Sequence, residues 1–528
     1  MRRPLLASLS LAALSASVLA VVAVPATAST RSHALPLGPS SLREQRETRQ
    51  LAPGVTLTSI VRGEKSPEDV WTLHVRLSVP GNASAVIAPK ATADDAAHRL
   101  EAAGLHPRVE AVDGPRFADV RPGRVGYVVR VGRYATEADA KKDLPALTAA
   151  GFSAGTSYTA QDGAEATGPW RLHVITVDPR RFSGRVVSSV GGTLTATDKV
   201  SDLVRTSGAV AGVNGTYFTS AGKGGSAGLH VLDGELTSEA NNGRTAMILP
   251  RSGRGVRFAQ LSTELRVRAQ DRATRELDGV DRLPGLVDNC GGVGGDQPTE
   301  RPQHDVTCTD PDELVAFTPV YGASSPAGAG VEAVLDGSGR VTDLRESRGT
   351  AIPAGGRTVQ AIGTAADWLR SHARPGTRLA ISERVLDRGR PVRLAPGTSI
   401  LGAGPQLVRD GRVWVDAYAD GLVHTGDDQS FYYNWVLRRN PRTMVGVDRL
   451  GRLLMVAADG RAPGYSEGLS IEEAAKVMRS LGAVQAMNFD GGGSTTMAAA
   501  GGALVNRPSD ATGERSVGDG ILLLPGRG

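Results

Sequence analysis

A short motif that occurs twice along the chain constrains how the sequence can be divided into domains. Residues 71–75 (WTLHV) recur almost unchanged as residues 170–174 (WRLHV), and both copies alternate as half-buried strands do. We therefore interpret residues 51–80 as displaced first strands of an outer domain, and residues 81–165 as a module inserted into it. A chance match between two pentapeptides is the alternative.

The inserted segment consists of two similar halves. Each half has a strand-like run, a helix-like run that ends at a glycine, and a second strand-like run. This βαββαβ order predicts a small ferredoxin-like sheet with helices on one face. The strand-like runs are residues 85–88, 108–112, 127–131 and 157–159, the helix-like runs are residues 91–103 and 137–150, and the glycines are Gly104 and Gly151.

The N-terminal sequence has the pattern of an export signal. Two arginines precede an apolar run over residues 5–24, and the run closes on the small-residue sequence ATA at residues 26–28. We expect a signal peptide over residues 1–28, a polar linker over residues 29–50, and a mature chain outside the cytoplasm. An uncleaved membrane anchor is the alternative, because the apolar run is barely long enough to span a bilayer.

Residues 166–528 show short β runs that are broken by glycine, aspartate and asparagine, with few helix-like runs between them. The clearest helix-like run covers residues 471–481, and Ser470 and Glu473 have the spacing of a capping box at its start. The pattern predicts one α+β domain built on a mixed sheet, with a loop-rich excursion near residues 270–330.

Charge and cysteine content narrow the possible functions. The formal net charge is only +5 over 528 residues, and no segment concentrates lysine and arginine as a nucleic-acid-binding protein would. Cys290 and Cys308 are the only cysteines, and in an exported chain we expect them to form a disulfide. They do not suggest a metal site, since no CxxC motif or histidine cluster accompanies them.

Two segments of the large domain carry chemically useful side chains at strand ends. Residues 442–448 and 453–458 are apolar runs that predict a hairpin, which would bring Arg442, Arg461 and Asp459 to one end of a sheet. A solvated surface ion pair is the alternative for this cluster. The second segment is an apolar strand that delivers Asp490 to a run of three glycines.

The glycine run favours a site over a plain linker. Gly491, Gly492 and Gly493 allow a sharp bend that could present backbone N–H groups to a bound anion, and the hydroxyls of Ser494 and Thr495 follow directly. Earlier in the chain, the Asn-Gly pair at residues 214–215 predicts a tight turn, for which a simple hairpin is the structural alternative.

Taken together, these motifs resemble the phosphodiester glycosidase family. The resemblance rests on GVNGTYF, GRTAMI, NPRTMVGV, ADGR, LGAVQAMNFDGGGSTTM, VNRPSD and GERSVGDGILL, in this order along the chain. Separately, GYVVRVGRYATEADAKKDLPALTAAGF in the insert resembles SPOR domains, which implies attachment to peptidoglycan glycan strands. The first motif departs from the family pattern, since Thr216 stands where a second glycine is common.

The family resemblance implies an exported glycosidase that hydrolyses a sugar-1-phosphodiester, such as one of N-acetylglucosamine, to free sugar and a phosphomonoester. Asp490 would be the nucleophile or base, and Asp459 would assist as a second base or orient the arginines. The phosphate would be held by guanidinium forks of Arg442, Arg461 and Arg515, and the sugar hydroxyls would be bound by the amides of Asn214 and Asn506. The family's active-site positions fall on Asn214, Arg244, Arg442, Asp459, Arg461, Asp490, Ser494, Asn506 and Arg515.

Two other functions remain open from the sequence. The chain could be a non-catalytic protein that only binds cell-wall glycan, or a metal-dependent phosphodiesterase. We expect no cofactor, although aspartate and asparagine oxygens could hold calcium. The expected partners are a phosphodiester-linked glycan and, through the SPOR-like module, peptidoglycan; neither nucleic acid nor, after signal cleavage, a membrane is expected.

Overall fold

The structure is a computed structural model, and it describes residues 34–163, 165–219, 225–241, 244–290, 304, 306–424 and 426–526. The predicted signal peptide, residues 1–28, lies outside these ranges. The described chain is a mixed α and β structure that is rich in strands and has few helices, as the sequence predicts. Among the described residues, no helix combines the length and the apolar character needed to cross a bilayer.

An antiparallel sheet of eight strands forms the centre of the large domain. Its apolar side chains alternate between two faces, so each face contributes to a different hydrophobic core. The strands, in spatial order, are Glu44–Ala52, Val55–Arg62, Trp170–Val177, Leu453–Ala458, Arg442–Asp448, Ala483–Asn488, Gln406–Arg409 and Arg412–Val413.

Helix Ile471–Ser480 covers one face of this central sheet. Ser470 accepts a hydrogen bond from the Glu473 N–H at 3.2 Å, and the Glu473 carboxylate accepts one from the Ser470 N–H at 2.9 Å. The predicted capping box is therefore confirmed. Ala474, Ala475 and Met478 of this helix are fully buried in the core that it shares with the sheet.

A five-stranded sheet covers the other face. Its Val213, Met497 and Ile521 pack in one core with Val445 and Met455 of the central sheet. Helix Val200–Ser207 packs on the outer side of this second sheet. The strands, in spatial order, are Arg185–Ser189, Gly520–Leu524, Ala211–Asn214, Met497–Ala499 and Ala503–Leu504.

Two further sheets and a ribbon complete the large domain. The strands of the first sheet, in spatial order, are Glu235–Ser238, His230–Leu232, Thr398–Gly402, Thr245–Pro250, Arg257–Ala269, Leu379–Asp387 and Arg390–Pro391. Strand Thr274–Glu276 also pairs with Arg257–Ala269. The second runs Gly279–Val280, Leu314–Phe317, Arg357–Ala361, Gly328–Leu335, Val341–Arg348, and it packs with helix Thr364–His372. The ribbon is Leu286–Asp288 with Thr307–Thr309.

The disulfide prediction is confirmed, and the loop-rich excursion is more regular than expected. Cys290 and Cys308 are bonded, and both are buried next to the ribbon. The segment near residues 270–330 contains short strands that join larger sheets, because its buried apolar residues, such as Val280 and Val315, need partners from distant strands.

The insert forms a separate four-stranded antiparallel sheet, here called the module sheet. Helices cover one face of it and bury Leu73, Val75, Val129 and Val131. The strands, in spatial order, are Pro107–Gly114, Gly123–Tyr134, Trp71–Val75 and Ala154–Tyr158. The other module elements are the hairpin Leu77–Val79 and Asn82–Ala85 and the helices Lys90–Ala102, Glu137–Lys142, Leu144–Ala149 and Thr159–Gln161.

Two predicted boundaries are wrong. The repeated motif belongs to two different sheets: Trp71–Val75 pairs inside the module sheet, whereas Trp170–Val177 pairs with Val55–Arg62 in the central sheet. Alternation along a strand reports which side chains are buried and carries no information about the partner strand. Part of the predicted linker is also ordered, because Glu44–Ala52 is an edge strand of the central sheet.

The second module helix is shorter than predicted. Residues 137–150 form two helices that meet at Asp143, and Pro145 lies in the first turn of the second one. Proline has no N–H to donate, so it fits the start of a helix and not its interior. Gly104 and Gly151 both have positive φ, at 80° and 82°, as the prediction of helix-ending glycines requires.

Candidate active site

The loop after strand Ala483–Asn488 places Asp490 at the end of the central sheet. The Asp490 N–H donates to the Gly215 carbonyl at 3.1 Å, and the Asp490 carbonyl accepts from the Asn214 amide at 2.8 Å. The carboxylate itself accepts from the Gly491 N–H at 2.8 Å. The backbone of Asp490 is thus tied to the second sheet, and its side chain is left to face the site.

Burial changes the acidity of this carboxyl group. Burial raises the pKa of Asp490 to about 6, and the nearby Asp519 adds to the rise. Hydrogen bonds from Ser494 and Gly491 and the charge of Arg515 oppose it. Asp490 is therefore ionised at neutral pH, but it loses its charge at a pH where a surface aspartate would keep it.

The three glycines of the loop are each needed for a different close approach. A Cβ on Gly491 would lie 2.8 Å from the Pro441 carbonyl, and one on Gly492 would lie 3.2 Å from the Arg461 guanidinium. A Cβ on Gly493 would lie 2.3 Å from the Arg515 guanidinium. The glycine run therefore lets two arginines pack directly on the backbone beside Asp490.

Most N–H groups of this loop already have acceptors within the protein. Four of them donate, to the Asp490 carboxylate and to the carbonyls of Pro441, Gly491 and Gly492. Residues Gly492–Ser494 form a 3-10 turn, and two of these bonds belong to it. The donors of Gly491 and Gly492 are therefore occupied, and anion binding by the glycine run stays a prediction that concerns Gly493.

The buried arginines Arg244 and Arg442 provide positive charge instead. Both are at most 4% exposed, and neither forms an ion pair with a carboxylate in the described part of the chain. Nη1 of Arg442, and Nε and Nη2 of Arg244, have no hydrogen-bond partner among the described residues. Burial lowers the pKa of Arg442 to about 9 and that of Arg244 to about 10.

Backbone carbonyls and an aromatic ring hold Arg442 in place. Its Nε donates to the Leu469 carbonyl at 2.9 Å, and its Nη2 donates to the Trp435 carbonyl. The guanidinium carbon lies 4.6 Å from the centroid of the Trp435 ring, a cation–π contact. Neutral groups orient this charge without neutralising it, which leaves it available to an anion.

Tyr217 lies where these charges meet. Burial raises the pKa of Tyr217 and Asp490 adds to the rise, whereas Arg244 and Arg442 oppose it. The Tyr217 hydroxyl donates to the Gly404 carbonyl at 2.8 Å, and its ring is 6.4 Å from that of Trp435. The carboxylate and both buried arginines are therefore close enough to Tyr217 to act on its hydroxyl electrostatically.

Arg461 and Arg515 lie on the glycine side of Asp490. Arg461 donates from Nε and Nη2 to the Asn440 side-chain oxygen at 3.0 and 2.8 Å, and Arg515 pairs with Asp510 at 2.8 Å. Burial lowers the pKa of Arg461, and Asp510 and Asp490 oppose the decrease. Both side chains reach solvent, so they can contact a ligand that enters the site.

Asn214 and Asn506 hold the loop and are not presented to a ligand. The Asn214 side-chain oxygen accepts from the Thr443 hydroxyl at 2.6 Å and the Thr496 N–H at 3.1 Å. The Asn506 amide bonds the Met497 N–H at 2.6 Å and the Thr495 carbonyl at 3.0 Å. Their predicted role in binding sugar hydroxyls is replaced by a positioning role, because buried backbone groups occupy their amides.

Asp459 points away from Arg442. Arg442 is paired with Ala458 in the hairpin, and the next residue, Asp459, turns to the opposite face. Its carboxylate accepts from the Arg507 N–H at 2.9 Å and the Tyr465 hydroxyl at 3.3 Å, and it lies 3.5 Å from His173. Asp459 therefore anchors the segment that carries Asn506 and does not orient the arginines.

Several site residues were not foreseen from the sequence. Tyr217 lies in a motif that predicted only a turn, and Asp519 lies inside the motif GERSVGDGILL, where no role was predicted for it. Asp519 accepts from the Thr216 N–H at 2.7 Å and would collide with a Cβ on Gly215, at 2.6 Å. Trp435 lies outside all the motifs, and no local pattern distinguishes it.

Fold and site together bring two buried arginines and Asp490, a carboxylate of raised pKa, around a shared neighbour, Tyr217. Residues 329–524 match the family model for phosphodiester glycosidases, and residues 85–155 match the model for SPOR domains. A crystal structure of a Burkholderia pseudomallei protein described as exported superposes with a TM-score of 0.84 at 35% identity, covering 93% of this chain and 98% of that one. The chain belongs to the phosphodiester glycosidase family.

Curated relatives match a smaller part of the chain. The mouse N-acetylglucosamine-1-phosphodiester alpha-N-acetylglucosaminidase is 36% identical over 129 residues, which are 24% of this chain and 23% of the relative. The bovine protein of the same name is 28% identical over 162 residues, 30% of this chain and 29% of the relative. The chain thus matches less than a third of the length of either relative. A Synechocystis structure at 17% identity, with a TM-score of 0.52, shares the fold.

Proposed function

We propose that the chain is an exported hydrolase that cleaves the bond between the anomeric carbon of a sugar and the phosphate of a phosphodiester. The observation that carries the proposal is the pair of buried arginines, Arg244 and Arg442, which have unsatisfied N–H groups among the described residues and share Tyr217 as a neighbour with Asp490. An uncompensated buried guanidinium is costly, so its retention at this place favours an anionic ligand. The names of the curated relatives support a sugar phosphodiester as that ligand.

The chemistry of this bond suits the observed side chains. When the anomeric C–O bond breaks, the electron pair leaves with the phosphate oxygen, and the departing phosphomonoester is stabilised by positive charge. Arg244 would bind its oxygens through Nε and Nη2, as a guanidinium fork, and Arg442 through Nη1. Because the leaving group is an anion of low basicity, a strong general acid is less necessary than for an ordinary glycoside.

Asp490 would act on the sugar side of the same bond. In its ionised form it either attacks the anomeric carbon or accepts a proton from the water that does so. In both cases water supplies the new hydroxyl of the free sugar, and the phosphomonoester is the second product. Tyr217 and Trp435 would provide the aromatic surface beside the sugar ring.

Product analysis tests the proposal. The mature chain is incubated with a uridine diphosphate sugar, and proton NMR follows the anomeric signals. Free sugar, with uridine diphosphate as the second product, supports a glycosidase. Sugar phosphate as the product would identify a phosphodiesterase, and binding without turnover would identify a glycan- or phosphate-binding protein. Asp490→Asn should abolish release of sugar while retaining phosphate affinity.

We also propose that the insert is a ferredoxin-like SPOR module that binds cell-wall glycan, and that the mature protein is exported. The strand order of the module sheet and the SPOR family match support the first part. The N-terminal sequence pattern and the relative described as exported support the second. Sedimentation with purified peptidoglycan tests glycan binding. Mass spectrometry of secreted protein tests cleavage before residue 29.

A further inference from the structure

The face of the module sheet that its helices leave uncovered is buried against the large domain. Val128 of the module sheet joins the core that contains Tyr432 and Tyr433. His74, on the same face, is 5% exposed, and its ring lies 5.9 Å from that of Tyr433 in an edge-on contact. The module therefore packs on the segment around Tyr433 and is not a freely tethered domain.

That segment is the π-helix Tyr432–Leu437, which carries Trp435. A π-helix is a rare conformation that occurs frequently at functional sites. The carbonyl of Trp435 accepts a hydrogen bond from Arg442, and the Trp435 ring stacks on the same guanidinium. A Cβ on Gly491 would also lie 3.0 Å from the Trp435 ring. The π-helix is thus one wall of the candidate active site.

Charged residues of the module hold this wall from behind. Arg130, which is 4% exposed, donates to the Tyr433 hydroxyl at 3.0 Å and to the Asp162 carboxylate at 2.6 Å. Asp162 also lies 3.4 Å from Arg438, directly after the π-helix, and Arg438 donates to the Ser157 hydroxyl at 3.0 Å. Module residues therefore contact both ends of the segment that supports Arg442.

We propose that the module is a positioning part of the active site: Arg130 and Asp162 hold the π-helix that places Trp435 and Arg442 against the phosphate of the substrate. The inference rests on the proposed function for the identity of that anion. Arg130, Asp162 and Tyr433 are positioning residues, since they act on the site through Trp435 and Arg442.

Conservative substitutions in the full mature chain test this proposal. Tyr433→Phe removes only the hydroxyl that accepts a hydrogen bond from Arg130. Arg130→Lys keeps the positive charge but replaces the guanidinium that donates to both Tyr433 and Asp162 by a shorter ammonium group. The matched control is Arg124→Lys on the same module strand, Gly123–Tyr134, because the partners of Arg124 are the exposed Asp113, at 2.6 Å, and the Tyr127 hydroxyl, which are not residues of the π-helix. The measurements are the dissociation constant for inorganic phosphate, by calorimetry, and the kinetics with a uridine diphosphate sugar.

We expect Tyr433→Phe and Arg130→Lys to weaken phosphate binding measurably and by at most about tenfold, because the bond removed, one hydrogen bond to a charged group, holds the π-helix and does not touch the phosphate. The KM for the phosphodiester should rise by a similar factor with kcat changed less, because phosphate is held in both ground and transition states. Arg124→Lys should change neither quantity. An equal loss of active protein in all assays would indicate unfolding only and would contradict the proposal.

The phosphate measurement separates this inference from the proposed function. If wild-type protein binds phosphate but releases no sugar, the proposed function fails while the positioning role is still tested by affinity. If wild-type protein turns over the phosphodiester and Tyr433→Phe and Arg130→Lys bind phosphate as tightly as it does, the positioning role fails alone. A wild-type chain that neither binds phosphate nor releases sugar overturns both.

Discussion

Replacing Asp490 with asparagine should stabilise the protein while it abolishes activity. The substitution keeps the shape of the side chain and an oxygen that can accept from the Gly491 N–H, 2.8 Å away in the native loop. It removes a charge that burial disfavours, since the pKa of Asp490 is raised to about 6 from an ordinary value of 3.8. A rise of this size corresponds to roughly 3 kcal/mol of unfavourable free energy for the ionised native state.

The stability gain of Asp490→Asn depends on pH, because the folded and unfolded chains bind the Asp490 proton with different affinities. Asp490 has a higher pKa in the folded chain than in the unfolded one, so the folded chain binds its proton more tightly. Below pH 3.8 both states are protonated and the cost is absent; above pH 6 both are ionised and the cost is complete. The stability gain of Asp490→Asn should therefore be near zero at pH 4 and about 2–3 kcal/mol at pH 7.5, the lower value allowing for the partial exposure of the side chain.

Urea unfolding of both proteins at the two pH values measures this difference. Asp510→Asn is the matched control, because Asp510 lies in the same site but is exposed enough to pair with Arg515 at the surface. That control should not gain stability at pH 7.5. An Asp490→Asn protein that is no more stable than wild type at pH 7.5, or equally more stable at pH 4, would refute the assignment of Asp490 as a desolvated, functionally retained carboxylate.

Four other outcomes are expected. Arg244→Met should weaken phosphate affinity at least tenfold, measured by calorimetry, because it removes a buried guanidinium that has free N–H groups and no carboxylate partner among the described residues. In wild type, kcat/KM should rise with pH through about 6 as Asp490 ionises, and a flat profile between pH 5 and 7 would contradict its role. Replacing Cys290 and Cys308 by serine should lower the free energy of unfolding, measured in urea, by about 3 kcal/mol, since the bond closes a loop of 18 residues. Adding a metal chelator should leave the rate of sugar release unchanged.

Local sequence patterns predicted the parts of the site that depend on neighbours along the chain. The strand before Asp490 and the glycines after it are contiguous, so their joint role could be inferred from spacing. The capping box at Ser470 is equally local. The close packing of Arg461 and Arg515 on these glycines was not predicted. Both arginines come from other parts of the chain, so the local sequence around the glycines does not indicate them.

Errors arose where a prediction needed the identity of a distant partner. Arg442 and Asp459 were correctly placed at one end of a hairpin, but one residue of offset sends their side chains to opposite faces of the sheet. The two WTLHV-like strands have the same alternation, yet they belong to sheets that share no strand. Alternation of apolar side chains predicts which face of a strand is buried. It does not predict which strand pairs with it or which side chains lie on the neighbouring strand.

The contact between module and site explains why the insert interrupts the chain where it does. It leaves the large domain after Val55–Arg62 and returns at Trp170–Val177, two strands that are paired along their whole length. Both connections are thereby fixed at one edge of the site, and Arg439, just after the π-helix, donates to the Ala160 carbonyl at 2.6 Å close to the point of return. A module joined by a flexible linker could bind glycan, but it could not support Trp435 and Arg442. The double connection fixes the module behind the π-helix, so in our proposal a ligand that shifts the module would also shift the arginine that we assign to the phosphate.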